Sequence, residues 1–448
     1  MLKFLYLWAR HKPVRAALTI LAVLTLATVV GVSWFIYSFT QANLVSMWKP
    51  SGMAWSPDGT RLAVSEDGPT GLLRILHWNN GLLQQTQSQS YSYSTRKLSW
   101  SPDGDWISCI DISGSIMSLR LSSGQTFQPF GPECREEVFA WSLPAAGAGD
   151  PAGPEIVGIQ KSRENNSQML LRARRAGEDG SSLPRFSVSL PDDQIQVGVY
   201  LSNVYSLLHV LPDKSKGGSD IIRHVSLVEH RSGPAAHRTI TVHDILPVPA
   251  QSLGAEGGGA IKQVFTCDAP YYSGFDMCLS PDGSTMALMD LKYRHYLHFD
   301  LWNLTTGKKE QTLTFPKQLE PGLYIRPAWS ALWLFGNSAW SADGKRFAAA
   351  IQLEDTQRRP DGCLLVWWDV ATGKVLATKR VWMFNQNALI LLTDPKSFPI
   401  AQWSACWSPT LDKVALWRRI CFQPPYFPDY RRGRNVVSVV PAPPEVTK

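Results

Sequence analysis

The sequence predicts an all-β protein: a seven-bladed β-propeller preceded by one N-terminal transmembrane α-helix, with six or eight blades also compatible with the count. Three observations predict it. A phrase led by Trp or Leu and closed by Asp-Gly recurs along the chain, a second phrase closed by Thr-Gly-Lys follows two of its copies, and one long uncharged stretch precedes them all. They divide the chain into a basic cytoplasmic segment (1–15), a membrane helix (16–38), the propeller (43–440) and a disordered tail (441–448).

The membrane segment comes first. No charged side chain lies between Ala16 and Trp48, and the almost wholly apolar run Ala16–Tyr37 spans, at helical rise, a hydrocarbon core of about 30 Å. Lys3, Arg10, Lys12 and Arg15 precede it and only Lys49 follows closely, which by the positive-inside rule leaves the N-terminus cytoplasmic and exports everything beyond about residue 40. Tyr6, Trp8, Trp34 and Tyr37 flank the run where amphipathic rings favour the interface. A cleaved signal peptide is the competing reading. It needs a shorter apolar region and a small-x-small site, whereas bulky Trp34–Tyr37 and Phe39 crowd that place. The same four cations account for most of the formal charge of +7, so the propeller itself is only mildly basic and a nucleic-acid partner is not expected.

The repeat follows. Trp55-Ser-Pro-Asp-Gly59 returns as Trp100–Gly104, as Leu279–Gly283 and, with Ala for Pro, as Trp340–Gly344; weaker copies begin at Trp141, Tyr200 and Trp407. Pro fixes φ at a corner, Asp bonds back to its local backbone and Gly accepts positive φ, so each phrase is a tight turn between two strands. Seven residues past the lead stands an apolar column, Leu62, Ile107, Leu207, Met286, Phe347 and Val414, and one place later a mostly small one. Trp302–Lys308 and Trp368–Lys374, with Leu119–Gly124 a looser version, mark a third strand turning into a fourth through a hairpin. Four short antiparallel strands per unit, repeated radially, make a propeller blade. The last unit runs out after a third strand near Asn435–Val440, and Leu44–Trp48 is free to supply its fourth and close the ring.

These units resemble the WD-repeat β-propeller family in its Ser-Pro-Asp-Gly turn variant, over roughly residues 43–440. The resemblance implies the fold and leaves the function open. Only Trp368-Asp369 matches the family's Trp-Asp dipeptide, and no Gly-His dipeptide occurs.

In an up-and-down blade the first-to-second and third-to-fourth turns share one end, and the other connections share the opposite end. The second end receives the long insertions Leu246–Asp276, Pro316–Gly336, Leu353–Gly362, Met383–Gln402 and Arg418–Arg434. They carry Tyr271, Tyr272, Tyr324, Trp329, Trp333, Phe335, Phe384, Phe422, Tyr426 and Tyr430, a composition suited to a protein-contacting surface. Aromatics that fold down to plug the axial channel are the bland alternative.

No hydrolase elbow, zincin, Walker, dinucleotide or Cys-x-x-Cys motif occurs, so neither an enzyme nor a cofactor is expected. One constellation invites a metal reading. If strands pair symmetrically about Arg231–Ala236, His230 faces His237 and His224 faces His243, as two pairs about 20 Å apart, each short of ligands and each able to repel when protonated. Their ordinary role would be as solvent-facing residues on outer strands. Of seven cysteines, Cys109, Cys278 and Cys406 fall inside strands as buried thiols, while Cys134, Cys267 and Cys421 fall in loops of a segment where disulfides are permitted. The leading expectation is a membrane-anchored scaffold on the non-cytoplasmic side that binds a protein partner through the long-loop face. The alternatives are an enzyme or ligand sensor using Asp268, Asp276 or Glu354 at the axial channel, and an accessory subunit of a larger membrane complex.

Overall fold

The computed structural model describes residues 21, 25 and 28 and, from Val45 to Thr447, all but 48–49, 67–70, 80, 92–94, 112–114, 131–135, 143–153, 162–168, 178–185, 191–205, 212–220, 231–236, 248–258, 269–276, 291–297, 317–323, 327–337, 355–359, 383–402 and 421–433. Two compact units divide the chain, Met1–Val45 and Ser46–Lys448. In the first, Leu21, Thr25 and Thr28 lie in helix, and the Thr25 hydroxyl donates to the Leu21 carbonyl at 2.8 Å. The rest of the expected membrane helix lies outside the described residues, and among those described no helix is long and apolar enough to cross a membrane.

The strands of the second unit form seven antiparallel sheets. After β1 (Val45–Met47), blade 1 is β2 (Pro50–Trp55), β3 (Arg61–Glu66), β4 (Gly71–Asn79) and β5 (Leu82–Tyr91). Blade 2 is β6 (Thr95–Trp100), β7 (Trp106–Asp111), β8 (Ile116–Arg120) and β9 (Thr126–Phe127); blade 3 is β10 (Glu136–Ser142), β11 (Glu155–Lys161), β12 (Met169–Arg175) and β13 (Phe186–Leu190). Blade 4 is β14 (Ser206–Leu211), β15 (Ile221–His230), β16 (His237–Pro247) and β17 (Gly259–Asp268); blade 5 is β18 (Met277–Leu279), β19 (Thr285–Asp290), β20 (His298–Asn303) and β21 (Lys308–Thr314). In blade 6, β22 (Tyr324–Arg326) and β23 (Ser338–Trp340) share the innermost position, both pairing with β24 (Arg346–Glu354), and β25 (Pro360–Asp369) and β26 (Val375–Trp382) follow. Blade 7 is β27 (Trp403–Trp407), β28 (Lys413–Ile420) and β29 (Arg434–Pro441), with β1 as its fourth strand. Innermost strands of successive blades touch, β2 with β6, β6 with β10, β10 with β14 and β18 with β23, and β27 meets β2 to close the ring. The fold is a seven-bladed β-propeller.

The turn phrase works as its chemistry requires. In blade 1 the Asp58 carboxylate accepts the Thr60 amide at 3.0 Å, the Ser56 hydroxyl accepts the Arg61 amide at 2.9 Å, and Gly59 takes φ +68°. Blades 2, 5 and 6 repeat this network, and in blade 7 Leu411 holds the positive φ that Gly holds elsewhere. The lead tryptophans tie blade to blade. Trp55 Nε1 donates to the Cys406 carbonyl at 2.9 Å, Trp100 to Ala54 at 2.9 Å, Trp141 to Ser99 at 3.2 Å and Trp340 to Cys278 at 3.4 Å. Each acceptor is the residue just before the previous blade's lead, which explains why the indole recurs at that position. In blade 6, buried Trp367 and Trp368 reach opposite ways, to Leu411 of blade 7 and Thr314 of blade 5, each at 3.0 Å.

The structure corrects several expectations. Blade 4 is led by Leu211 and not by Tyr200, which lies outside the described residues; Leu207 and Leu208 belong to its innermost strand, not its second. The physical reason is a lengthened turn: Leu211-Pro212-Asp213 begins the phrase, but Ile221, not the seventh residue on, pairs with the lead. Leu246–Asp276 is not one insertion, because Gly259–Asp268 is the outermost strand β17, which also takes Cys267 out of a loop; residues 248–258 join third and fourth strands and so belong to the tight-turn end. Leu353–Gly362 shrinks to 355–359. The tail expected to be disordered is docked: α1 (Pro444–Thr447) buries Val446 in the core shared by blades 6 and 7, the Ala442 amide donates to the Asp412 carbonyl at 2.7 Å, and Arg346 donates to the Val446 carbonyl. One apolar side chain in reach of a pocket outweighs the Pro-rich composition around it.

Candidate functional site

Connectivity decides what each end of the ring can present. At the tight-turn end, cations of one blade latch onto the next. The Arg61 guanidinium donates to the Gly104 carbonyl at 2.9 Å and lies 4.7 Å from the Trp100 ring, and Lys413 Nζ lies 5.4 Å from the Trp55 ring. Arg223, paired with Asp244 at 2.6 Å, donates to the Gly283 carbonyl. A Cβ on Gly283 would push against the end of the Leu211 side chain, and φ +66° favours glycine there whatever the space. The turn carboxylates are held low as well: partial burial opposes ionisation of Asp58 and Asp282, but hydroxyl and amide donors outweigh it, and for Asp343 the Ser341 hydroxyl leads. The polar groups named at this end are spent on closing the turns and on latching blade to blade.

The opposite end receives the segments that carry seven of the ten aromatic candidates, and the other three, Trp329, Trp333 and Phe335, belong to a stretch rooted part-way along the innermost position of blade 6. Tyr271 and Tyr272 lie between blades 4 and 5, Phe384 between blades 6 and 7, and Phe422, Tyr426 and Tyr430 between β28 and β29. Tyr324 opens β22, opposite Glu354, and Trp329, Trp333 and Phe335 lie in the stretch that leaves the innermost position of blade 6 after β22 and rejoins it at β23. The side chains of all ten lie outside the described residues. All ten are nonetheless attached in one sector, from the blade 4–5 junction to blade 7, seven of them at this end and Trp329, Trp333 and Phe335 along the inner edge of blade 6.

The axial carboxylates do not converge by topology. Asp268 ends the outermost strand of blade 4 and Glu354 ends the second strand of blade 6, while Asp276 lies outside the described residues. The histidine register is as the sequence suggests, His224 opposite His243 and His230 opposite His237. Its setting differs: β15 and β16 are second and third strands, and His224 and His243 are buried, not solvent-facing. They share the sheet face of Ile222 and Ile245, which packs against Val157, Ile159, Leu171 and Ala173 of blade 3. Burial first, and the His243 charge second, push the His224 imidazole down to about 3; burial also lowers His243, against the pull of Asp244. Both are neutral near pH 7. Among the described residues no group of three or more His, Cys, Asp or Glu is placed to hold a metal ion.

No disulfide joins any two of Cys109, Cys267, Cys278, Cys363 and Cys406, and Cys134 and Cys421 lie outside the described residues. Burial pushes Cys406 up to about 12 and Cys363 higher still, so both behave as small apolar side chains. Sequence reading missed Lys97, whose backbone leaves the ordinary strand region; nothing in Thr95-Arg96-Lys97-Leu98 signals it, because the signal is conformational.

No family model matches the chain, and no curated protein matches it. Among solved structures, the β-propeller domain of Cps50 (Swd1) from Myceliophteria thermophila is similar over 89% of this chain and 98% of that chain, at 11% identity and a TM-score of 0.45. At that distance the fold assignment rests on this chain's own seven sheets and their closure.

Proposed function

We propose that the chain is a membrane-anchored interaction scaffold whose propeller, on the non-cytoplasmic side, binds a protein partner through the long-loop end of blades 5 to 7. The observation that carries this is the division of labour between the ends. Cations at one end latch blade to blade and the carboxylates there are spent on the turns, whereas seven of the ten candidate aromatics lie in segments rooted in a single sector of the other. Aromatic clusters of that kind anchor protein interfaces, where a few large rings supply most of the binding energy. Anchoring by 16–38 is supported by the uncharged run and by the cations before it.

Crosslinking of the full chain in its native membrane, followed by mass spectrometry, tests the reading. Crosslinks to a partner are expected from segments 269–276, 327–337, 383–402 and 421–433, and the double variant Trp329→Ala, Trp333→Ala is expected to lose them with the thermal midpoint unchanged. Crosslinks confined to the tight-turn end, or none under conditions that capture known neighbours, would refute it. Resistance to alkaline extraction, together with protease accessibility only from the non-cytoplasmic side, checks the anchor and its sidedness independently.

A further inference from the structure

Each blade ends in an outermost strand whose far side offers backbone N–H and C=O groups to whatever can pair with them, and proteins blunt such edges with charge or with brevity. Among the described strands, β1, β9 and β13 are three, two and five residues long, and the longer β17, β21 and β26 carry Lys262, Lys308 with Lys309, and Lys379 with Arg380. β5 has neither protection. It runs for ten residues, and no Asp, Glu, Lys, Arg or His lies between Trp78 and Thr95. Its ladder with β4 is interrupted at Thr86, between Gln85 opposite Leu76 and Gln87 opposite Ile75, and is regular from Gln87 to Tyr91. Among the described strands none pairs with its outer side, and Gln84, Gln85, Thr86, Gln87, Ser88 and Ser90 are exposed. The Gln85 side-chain carbonyl accepts from Arg74 at 2.9 Å and the Thr86 hydroxyl donates to the Ile75 carbonyl at 3.2 Å, both within blade 1. The side chains of Gln87, Ser88, Gln89 and Ser90 hydrogen-bond no described residue.

We propose that β5 is a self-association edge, on which two copies of this chain pair β5 with β5, antiparallel about a two-fold axis, and so join their first blades into one continuous sheet. The side chains favour a second copy over any other occupant. A two-fold sets each position of the strand against its own symmetry mate, so a charged residue near the axis meets its like, whereas a Gln amide and a Ser hydroxyl each donate and accept and can satisfy themselves. Gln87-Ser88-Gln89-Ser90 alternates with the period of the strand. Pairing centred on Ser88 sets Gln87 against Gln89; pairing centred on Gln89 sets Ser88 against Ser90 and Gln89 against itself. Either register matches amide with amide and hydroxyl with hydroxyl. The same operation on β21 or β26 would bring Lys308 and Lys309, or Lys379 and Arg380, against their own kind. Symmetry also closes the assembly, because one partner uses up the edge and the product is a dimer, not a filament. A single strand pair buries less than a standard interface, so association sets in at micromolar concentration. Blade 1 lies outside the sector assigned to the protein partner, so pairing leaves that sector open and neither reading depends on the other.

Sedimentation velocity of the full chain in detergent micelles, from about 1 to about 100 μM, tests this. The parent is expected to pass from monomer to dimer across that range and to stop there. The double variant Gln87→Lys, Gln89→Lys sets like charges across the axis in either register, and is expected to weaken association at least about tenfold with the thermal midpoint unchanged. Thr266→Lys, a like change at an exposed position of the outermost strand of blade 4, is expected to associate as the parent does. Hydrogen exchange of the amides of residues 82–91 in the parent is expected to slow as the dimer forms, because outward-facing donors become paired. A parent that stays monomeric, a dimer that the two lysines leave intact, assembly that continues beyond two copies, or exchange in 82–91 that ignores concentration overturns the proposal. Association held elsewhere, through the apolar run 16–38 for instance, shows itself as the second of these outcomes. The exchange measurement decides on the parent alone where a variant fails to fold.

Discussion

The indole nitrogens are the residue-scale device of this ring, because one atom on each of Trp55, Trp100, Trp141 and Trp340 joins a blade to the one before it. Trp55 joins the first blade to the last, through the Cys406 carbonyl at 2.9 Å. Trp55→Phe keeps most of the buried ring but leaves that carbonyl without its donor, so a loss of about 1 kcal/mol is expected, read as a lower denaturant midpoint with unchanged slope. Trp302 supplies the contrast. Its Nε1 is buried without a partner among the described residues, so Trp302→Phe is expected to be neutral or stabilising. Equal losses at both positions would mean that ring size, not the hydrogen bond, is what the repeat preserves. The same reasoning limits the turn carboxylates: their donors favour ionisation, so what they add is present above the ordinary carboxylate range and lost as acid protonates them.

At the scale of the element, the paired strands β15 and β16 bury two imidazoles side by side. The unfolded chain protonates them near pH 6.5, whereas folded His224 resists until about 3. Between those limits the unfolded state binds more protons, so stability is intact above about pH 7 and falls as pH drops through 6.5; His224 alone should lose about 2 kcal/mol by pH 5. His224→Leu is expected to flatten that slope in denaturant melts at pH 8 and pH 5, and a slope as steep as the parent's would assign the acid sensitivity elsewhere. This strand pair also shows what is legible in a sequence. The register of His224 with His243 follows from symmetry about a short loop, but its burial follows from blade 3, whose contribution no local pattern announces. Blades 1, 2, 5, 6 and 7 are legible because Asp-Gly turn chemistry, or in blade 7 its looser copy, stands at a fixed distance from the lead. Blade 4 is shifted in the reading because its turn is lengthened beyond Leu211-Pro212-Asp213, so the spacing rule picks Tyr200. For the aromatic sector the sequence reaches only the end of the ring to which each loop belongs, since irregular segments have no period from which a side-chain direction could be read.

For the whole molecule the decisive feature is that the last sheet is completed by the first strand. β29 contributes Val436, Val437, Val439 and Val440 with Ser438 between them, an uncharged, β-branched run bounded by Asn435 and Pro441. Within the ring β1 occupies its outer edge, and Val436 and Val437 are buried. Without β1 the row of backbone donors and acceptors on β29 would face solvent beside four valines, the composition that recruits further strands. A chain beginning at Leu44 keeps the closing strand and is expected to remain dispersed. One beginning at Trp48 lacks it and is expected to self-associate, with light scattering rising with concentration and time. Adding a charge at the half-buried end of that strand, as Val440→Lys, is expected to restore part of the solubility to the shorter chain. If both chains are equally dispersed and melt in one transition at the same temperature, the ring is held shut by the indole bond of Trp55 and the contact of β27 with β2, and β1 is an ornament of the edge.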